Sequence, residues 1–173
     1  MAAAAADGQF GDVWDGTTDV VRGAAGSGFL MLWLHRQDLA PGTLVDARRI
    51  GDWLLTQAAP ASPEQDGAAA GLRWPMAPAY PRWMPNFSHG TAGVACFLAA
   101  LQLELGPKAA AGRYAAAAAR GAAHLLAIAD RPDGGLRVHH HSPGGEQLHY
   151  LGWCHGPPGT ARLFHALDCR EPS

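Results

Sequence analysis

Histidine is the residue type to start from, because its side chain changes charge near neutral pH and ligates metals. The chain holds 9 histidines, and five of them, His139, His140, His141, His149 and His155, fall in one short stretch. Two others of the chemistry-bearing set stand before glycine pairs. His89 precedes Gly90-Thr91-Ala92-Gly93, and Cys154-His155 precedes Gly156-Pro157-Pro158-Gly159. A thiol beside an imidazole suits nucleophile or ligand chemistry. In the run His139-His140-His141, strand alternation would place His139 and His141 on one face, as a metal pair. No cysteine or carboxylate stands at a matching spacing, so a solvated histidine-rich hairpin is the stronger expectation. Cys96 falls within an apolar helical stripe and reads as core, and Cys169 near the C-terminus reads as incidental. Three cysteines, an odd and small number, suggest reduced thiols and a cytoplasmic location.

The elements that would hold these residues follow from a repeat. Glycine pairs recur as Gly23/Gly26, Gly90/Gly93 and Gly156/Gly159, with 67 and then 66 residues between their first members. A fixed period points to a repeat architecture. An apolar run follows each pair. Val94, Phe97, Leu98, Leu101 and Leu105 lie on one helical face. Phe29 through Leu34 are apolar all round, which predicts a helix buried on most sides. A second helix is expected over 45–57, with Ile50, Trp53 and Leu54 together, and another over 109–129, with Tyr114, Ala118, Leu125 and Ile128 on one side. Short extended pieces are expected at 72–74 and 136–138, and a surface loop over 59–71. Helical hairpins stacked in two layers form a solenoid or a closed toroid. The glycine turns would start the inner helices, so several positive helix ends would converge at one end of the axis.

Composition agrees and excludes alternatives. The chain has 173 residues, room for one modest domain. Hydrophobic residues make up 48% but aromatic ones only 8%, and alanine fills the difference. Alanine favours helix and β-branched residues are scarce, which argues against an all-β fold. A net charge of −2 without a basic run argues against a nucleic-acid partner. No stretch has the ~18 apolar residues of a membrane span, and residues 1–6 make a poor signal peptide. Charged residues are only 16%, which leaves surface for another segment or a second copy.

Taken together, Asn86-Phe87-Ser88-His89-Gly90-Thr91-Ala92-Gly93 and Leu151-Gly152-Trp153-Cys154-His155-Gly156-Pro157-Pro158-Gly159 resemble the lanthionine synthetase C-like family. Asp19-Val20-Val21-Arg22-Gly23-Ala24-Ala25-Gly26 is similar to that family's acidic glycine turn. The match runs through most of the chain, with units starting near 19, 86 and 151. The resemblance implies an all-α fold, an α/α toroid of helical hairpins with short β pieces, of which residues 1–173 would be a partial domain of about three hairpins. It implies zinc-assisted addition of a thiol, from a peptide cysteine or glutathione, to dehydroalanine or dehydrobutyrine residues. In that reading zinc ionises the thiol and an acid protonates the enolate formed by attack. Carried over by position, His89 and Asp19 are the catalytic pair and Cys154 is a zinc ligand. The family's two other ligands lie on a later glycine turn that this sequence does not reach, and Cys169 is no match for it. His155 is not a ligand in similar sequences.

Alternatives stand beside these expectations. Asp19 could cap the helix near Gly23, His89 could pack at a helix start, and Cys154 could be a buried inert thiol. A truncated domain that only binds a peptide or partner, open to self-association through exposed repeat faces, is the second functional reading. A toroid carbohydrate enzyme ranks last, because Asp19 has no evident carboxylate partner.

Overall fold

The structure, a computed structural model, describes residues 15–66 and 70–169. It is mostly helical. Helix α1 spans Ala24–Arg36 and α2 spans Thr43–Thr56. A two-residue strand β1, Ala59–Pro60, precedes the single-turn helix α3, Pro63–Asp66. Strand β2, Leu72–Arg73, pairs antiparallel with β1, Ala59 opposite Arg73. Then come α4 over Thr91–Leu105, a 3-10 turn at Ala109–Gly112, α5 over Arg113–Ile128, and α6 over Pro157–Asp168.

Helix α4 is the centre of the packing. It is apolar nearly all round, and Val94, Phe97, Leu98 and Leu101 are completely shielded from solvent. A helix with no polar face must be enclosed by others. Helices α1 and α6 flank it, and α5 lies along it. Helix α2 pairs with α1 and also reaches α4 and α5. The outer helices are amphipathic. In α2, Ala47, Ile50, Trp53 and Leu54 are buried, and in α5 Tyr114, Ala118, Ala122 and Leu125 are buried. Runs of alanine in α5 present a thin face, so that helix can approach α4 closely. Asp52 of α2 accepts hydrogen bonds from Tyr114 and Arg113 of α5, which ties the outer pair together. Trp74 is fully buried and its indole N–H donates to the Leu54 carbonyl at 2.7 Å.

Two expectations are corrected here. Helix α1 is not enclosed: Leu30 is 50% exposed and Trp33 is 53% exposed. Its other side meets α2 and α4, and no described residue covers this flank. The stretch 59–71 is not a plain loop, since it contains β1 and α3, with 67–69 outside the described residues. The short extended piece expected at 136–138 is present as a single antiparallel bridge from Arg137 to Asp130. Among the described residues no helix is long and apolar enough to cross a membrane.

Candidate functional site

Each glycine pair starts a helix. Gly23, Gly90 and Gly156 are the N-cap residues of α1, α4 and α6. The second member of each pair sits one turn into its helix, and there the lack of a side chain is required. A Cβ on Gly26 would collide with the Val20 carbonyl, one on Gly93 with the Phe87 carbonyl, and one on Gly159 with the Trp153 carbonyl. In all three the obstructing carbonyl belongs to the residue six positions earlier, so each turn folds back over its own helix in the same manner. The first two turns also share main-chain bonds. Ala24 N–H donates to Thr17 O at 3.1 Å, and Thr91 N–H to Met84 O at 3.0 Å. Pro157, without an N–H, occupies the corresponding place in the third turn.

The three turns lie side by side. Val20 N–H donates to the Ser88 carbonyl at 3.0 Å, and Ser88 N–H donates to the Cys154 carbonyl at 3.1 Å. The Ser88 hydroxyl reinforces the second link at 2.9 Å. This row brings Asp19 to His89. The carboxylate Oδ2 lies 2.7 Å from His89 Nδ1, across 70 residues of chain. Asp19 is 1% exposed, and its other oxygen accepts the Arg22 backbone N–H at 2.7 Å. Asp19 therefore does not cap α1, whose N-cap residue is Gly23; it closes the turn before the helix and holds the histidine. With Nδ1 turned to the carboxylate, the neutral ring is held as the tautomer that carries its proton on Nδ1. Nε2 is then the nitrogen available to a ligand. The pair lines a cleft of about 320 Å³ together with Asp15, Arg22, Met76 and Pro78. Thr18 fixes residues 75–76 against the first turn, its hydroxyl donating to Pro75 O at 2.6 Å and its N–H to Met76 O at 3.0 Å.

Cys154 stands in the same row, one turn over from His89, and its side chain is exposed rather than buried. Its neighbour His155 stacks on His89, with ring centroids 5.5 Å apart. His140 approaches His155 to 4.3 Å and Tyr150 to 4.9 Å, so a cluster of three rings adjoins the Asp19–His89 pair. The segment carrying His140 is held from below: Asn86, fully buried, donates through Nδ2 to the His140 carbonyl at 2.7 Å and the His139 carbonyl at 3.2 Å. Burial pushes His140 down to about 4, with repulsion from neighbouring His155, His141 and His89 and from Arg82 adding to it. Burial also lowers His155, with His89 repulsion second.

The histidine run departs from expectation. His139 and His141 are 6% and 5% exposed, so this is not a solvated hairpin. His140 Nδ1 meets His141 Nδ1 at 2.7 Å. Cys96 is core as expected; burial raises its thiol to about 11 and its S–H donates to the Arg162 carbonyl. Cys169 is exposed beside His165 of its own helix. A catalytic zinc takes three protein ligands. Among the described residues no group of three or more His, Cys, Asp or Glu side chains is placed to hold a metal ion.

Two contributors were not singled out by motif reasoning, Asn86 and Arg22. Asn86 lies inside the quoted glycine-turn string, and Arg22 directly precedes Gly23, as His89 precedes Gly90. No family model matches the chain, and no curated protein or solved structure matches it.

Proposed function

We propose that the Asp19–His89 pair is the acid–base part of a thioether-forming site of the lanthionine synthetase C-like kind. The reaction is addition of a thiol, from a peptide cysteine or glutathione, to a dehydroalanine or dehydrobutyrine residue of a peptide. The observation that carries this reading is the 2.7 Å contact between a buried carboxylate and a histidine at the wall of a cleft. A carboxylate so placed fixes the ring and stabilises its protonated form during proton transfer. His89 Nε2 would deliver the proton to the α-carbon after sulfur attack. Cys154, exposed in the adjacent turn, is the thiol closest to the pair along the row. Zinc belongs to this reading only with Cys154 as one ligand and further donors from outside the described residues, and no step above depends on it. The architecture that goes with the reading is a sector of an α/α toroid, supported by the pairing of α1 with α2 and of α4 with α5. Its compartment would be the cytoplasm, in keeping with three unpaired thiols.

The test is incubation of the chain with a dehydroalanine peptide and a thiol, read by mass spectrometry as the adduct. His89→Gln should slow adduct formation by about 10²–10⁴-fold, the usual contribution of general acid–base catalysis. Absence of any adduct above the uncatalysed rate, or a His89→Gln rate equal to the parent's, sinks the reading.

A second reading is a peptide-binding domain without catalysis. It is favoured by a groove of about 650 Å³ across α1, α4 and α6, where Phe29, Trp33 and Ala161 line the floor and Arg162 and His165 the edge. Peptide binding that survives His89→Gln without turnover would support it. Exposed Leu30 and Trp33 on the same flank would serve self-association.

A further inference from the structure

The cleft beside Asp19 and His89 carries a cation that the pair does not use. Arg22 lines it, is exposed, and has no carboxylate partner for its guanidinium among the described residues. Arg36, Arg49, Arg113 and Arg137, by contrast, each face a carboxylate, of Glu104, Asp46, Asp52 and Asp130. Arg22 also has a fixed base. Its backbone N–H donates to Asp19 Oδ1 at 2.7 Å, while Asp19 Oδ2 holds His89 at 2.7 Å. One buried carboxylate thus sets both the main chain beneath Arg22 and the ring of His89. The turn register repeats the placement, since Arg22, His89 and His155 each directly precede the N-cap glycine of their helix. Met76, Ala77, Pro78 and Ala79, which also line the cleft, offer no charge. Asp15 is the remaining acidic residue of the cleft, and it is not paired with Arg22.

We propose that Arg22 is a further catalytic residue, whose guanidinium receives the carbonyl oxygen of the dehydroamino acid while His89 addresses its α-carbon. This rests on the thiol-addition reading above and names the group that would take the negative charge. As the thiolate sulfur bonds to the β-carbon, the C=C electron pair shifts toward the carbonyl and an enolate oxygen forms. The guanidinium N–H groups hold that oxygen. When the pair returns, the α-carbon takes a proton from His89 Nε2 and the carbonyl is restored. The thiol proton passes to solvent and His89 regains one from solvent, so the net change is addition of S–H across the double bond. A permanent cation stabilises the enolate more than the neutral carbonyl, so the effect falls on kcat.

Two measurements on the full chain test this. Turnover of the dehydroalanine peptide with thiol is compared for the parent, Arg22→Gln and Arg22→Lys. The expected result is a kcat loss of about 10²–10³-fold for Arg22→Gln, the usual size for one oxyanion donor, with KM nearly unchanged and partial recovery in Arg22→Lys. A parent-like kcat in Arg22→Gln overturns the proposal and leaves the role of His89 standing. The second measurement needs no turnover. N-acetylalanine, whose carboxylate places a negative oxygen next to the α-carbon, is titrated into the isotope-labelled chain by NMR. Binding should perturb Arg22 and His89 signals together, and Arg22→Gln should weaken it at least about tenfold. Equal binding in Arg22→Gln overturns the proposal even in a chain that turns nothing over, a result which separately removes the thiol-addition reading.

Discussion

Asp19→Asn is the substitution that reaches furthest into the structure. It keeps the shape of a side chain that is 1% exposed and removes its charge. The carboxylate has two acceptors in use, Oδ1 for the Arg22 N–H and Oδ2 for His89 Nδ1, each at 2.7 Å. An amide has one acceptor and one donor. If the Asn oxygen keeps the Arg22 N–H, its NH2 points at His89 Nδ1. Two donors then face each other unless the imidazole changes tautomer and carries its proton on Nε2. If the amide flips to suit His89, the Arg22 N–H loses its partner and meets a donor. Either way one hydrogen bond to a charged group is lost or weakened, at a cost of about 1.5–3 kcal/mol. For a chain of this size that lowers Tm by about 3–12 °C.

Two assays read the outcome. Thermal unfolding followed by circular dichroism gives the stability change. Nitrogen chemical shifts of the labelled histidines give the tautomer: Nδ1–H in the parent, Nε2–H in Asp19→Asn. The variant should also slow proton delivery from Nε2, because without the carboxylate the doubly protonated ring that gives up the proton is no longer stabilised. The reasoning is refuted if Asp19→Asn melts with the parent and His89 keeps its proton on Nδ1. That result would mean the carboxylate is not what orients the ring.

The remaining predictions address the scaffold around the pair. Gly93→Ala should destabilise the chain by about 2 kcal/mol or more, because the new methyl meets the Phe87 carbonyl and the Val20 side chain; Gly152→Ala, with open space around it, should be neutral in the same denaturation assay. Thiol labelling under native conditions should modify exposed Cys154 and Cys169 quickly and spare Cys96, until denaturant exposes all three. Cys96 also makes stability fall at alkaline pH. Its folded pKa of about 11 lies above the reference 9.0, so its contribution is present below pH 9 and is lost as pH rises to about 11, a loss that Cys96→Ala should remove. On the acid side His140, lowered to about 4 from 6.5, resists protonation in the fold, so stability should fall as pH drops from 6.5 toward 4, less steeply in His140→Phe.

What was legible in the sequence was whatever the main chain dictates locally. Glycines spaced three apart announced turns whose helices start where the pairs stand, since no other residue fits over the Val20, Phe87 and Trp153 carbonyls. Apolar spacing announced α2, α4 and α5 nearly to their ends. The meeting of Asp19 and His89 was inferred through a resemblance, and its physical cause is the row of turns held by Val20, Ser88 and Cys154, a link between main-chain groups that leaves no trace in residue type. The histidine run shows the opposite case. Alternation along a strand treats 139–141 as if the neighbouring chain were absent, so it sends His139 and His141 to one face and out into water. Asn86 decides otherwise: by binding the His139 and His140 carbonyls it draws the run onto the second turn, buries His139 and His141, and turns His140 toward His155. A buried amide satisfying two carbonyls outweighs the hydration of an imidazole, because an unpaired main-chain carbonyl in that place would cost about 1–3 kcal/mol. The same comparison explains Arg22. A lone arginine before a glycine carries no motif, and only the folded chain shows that one carboxylate fixes both its main chain and His89.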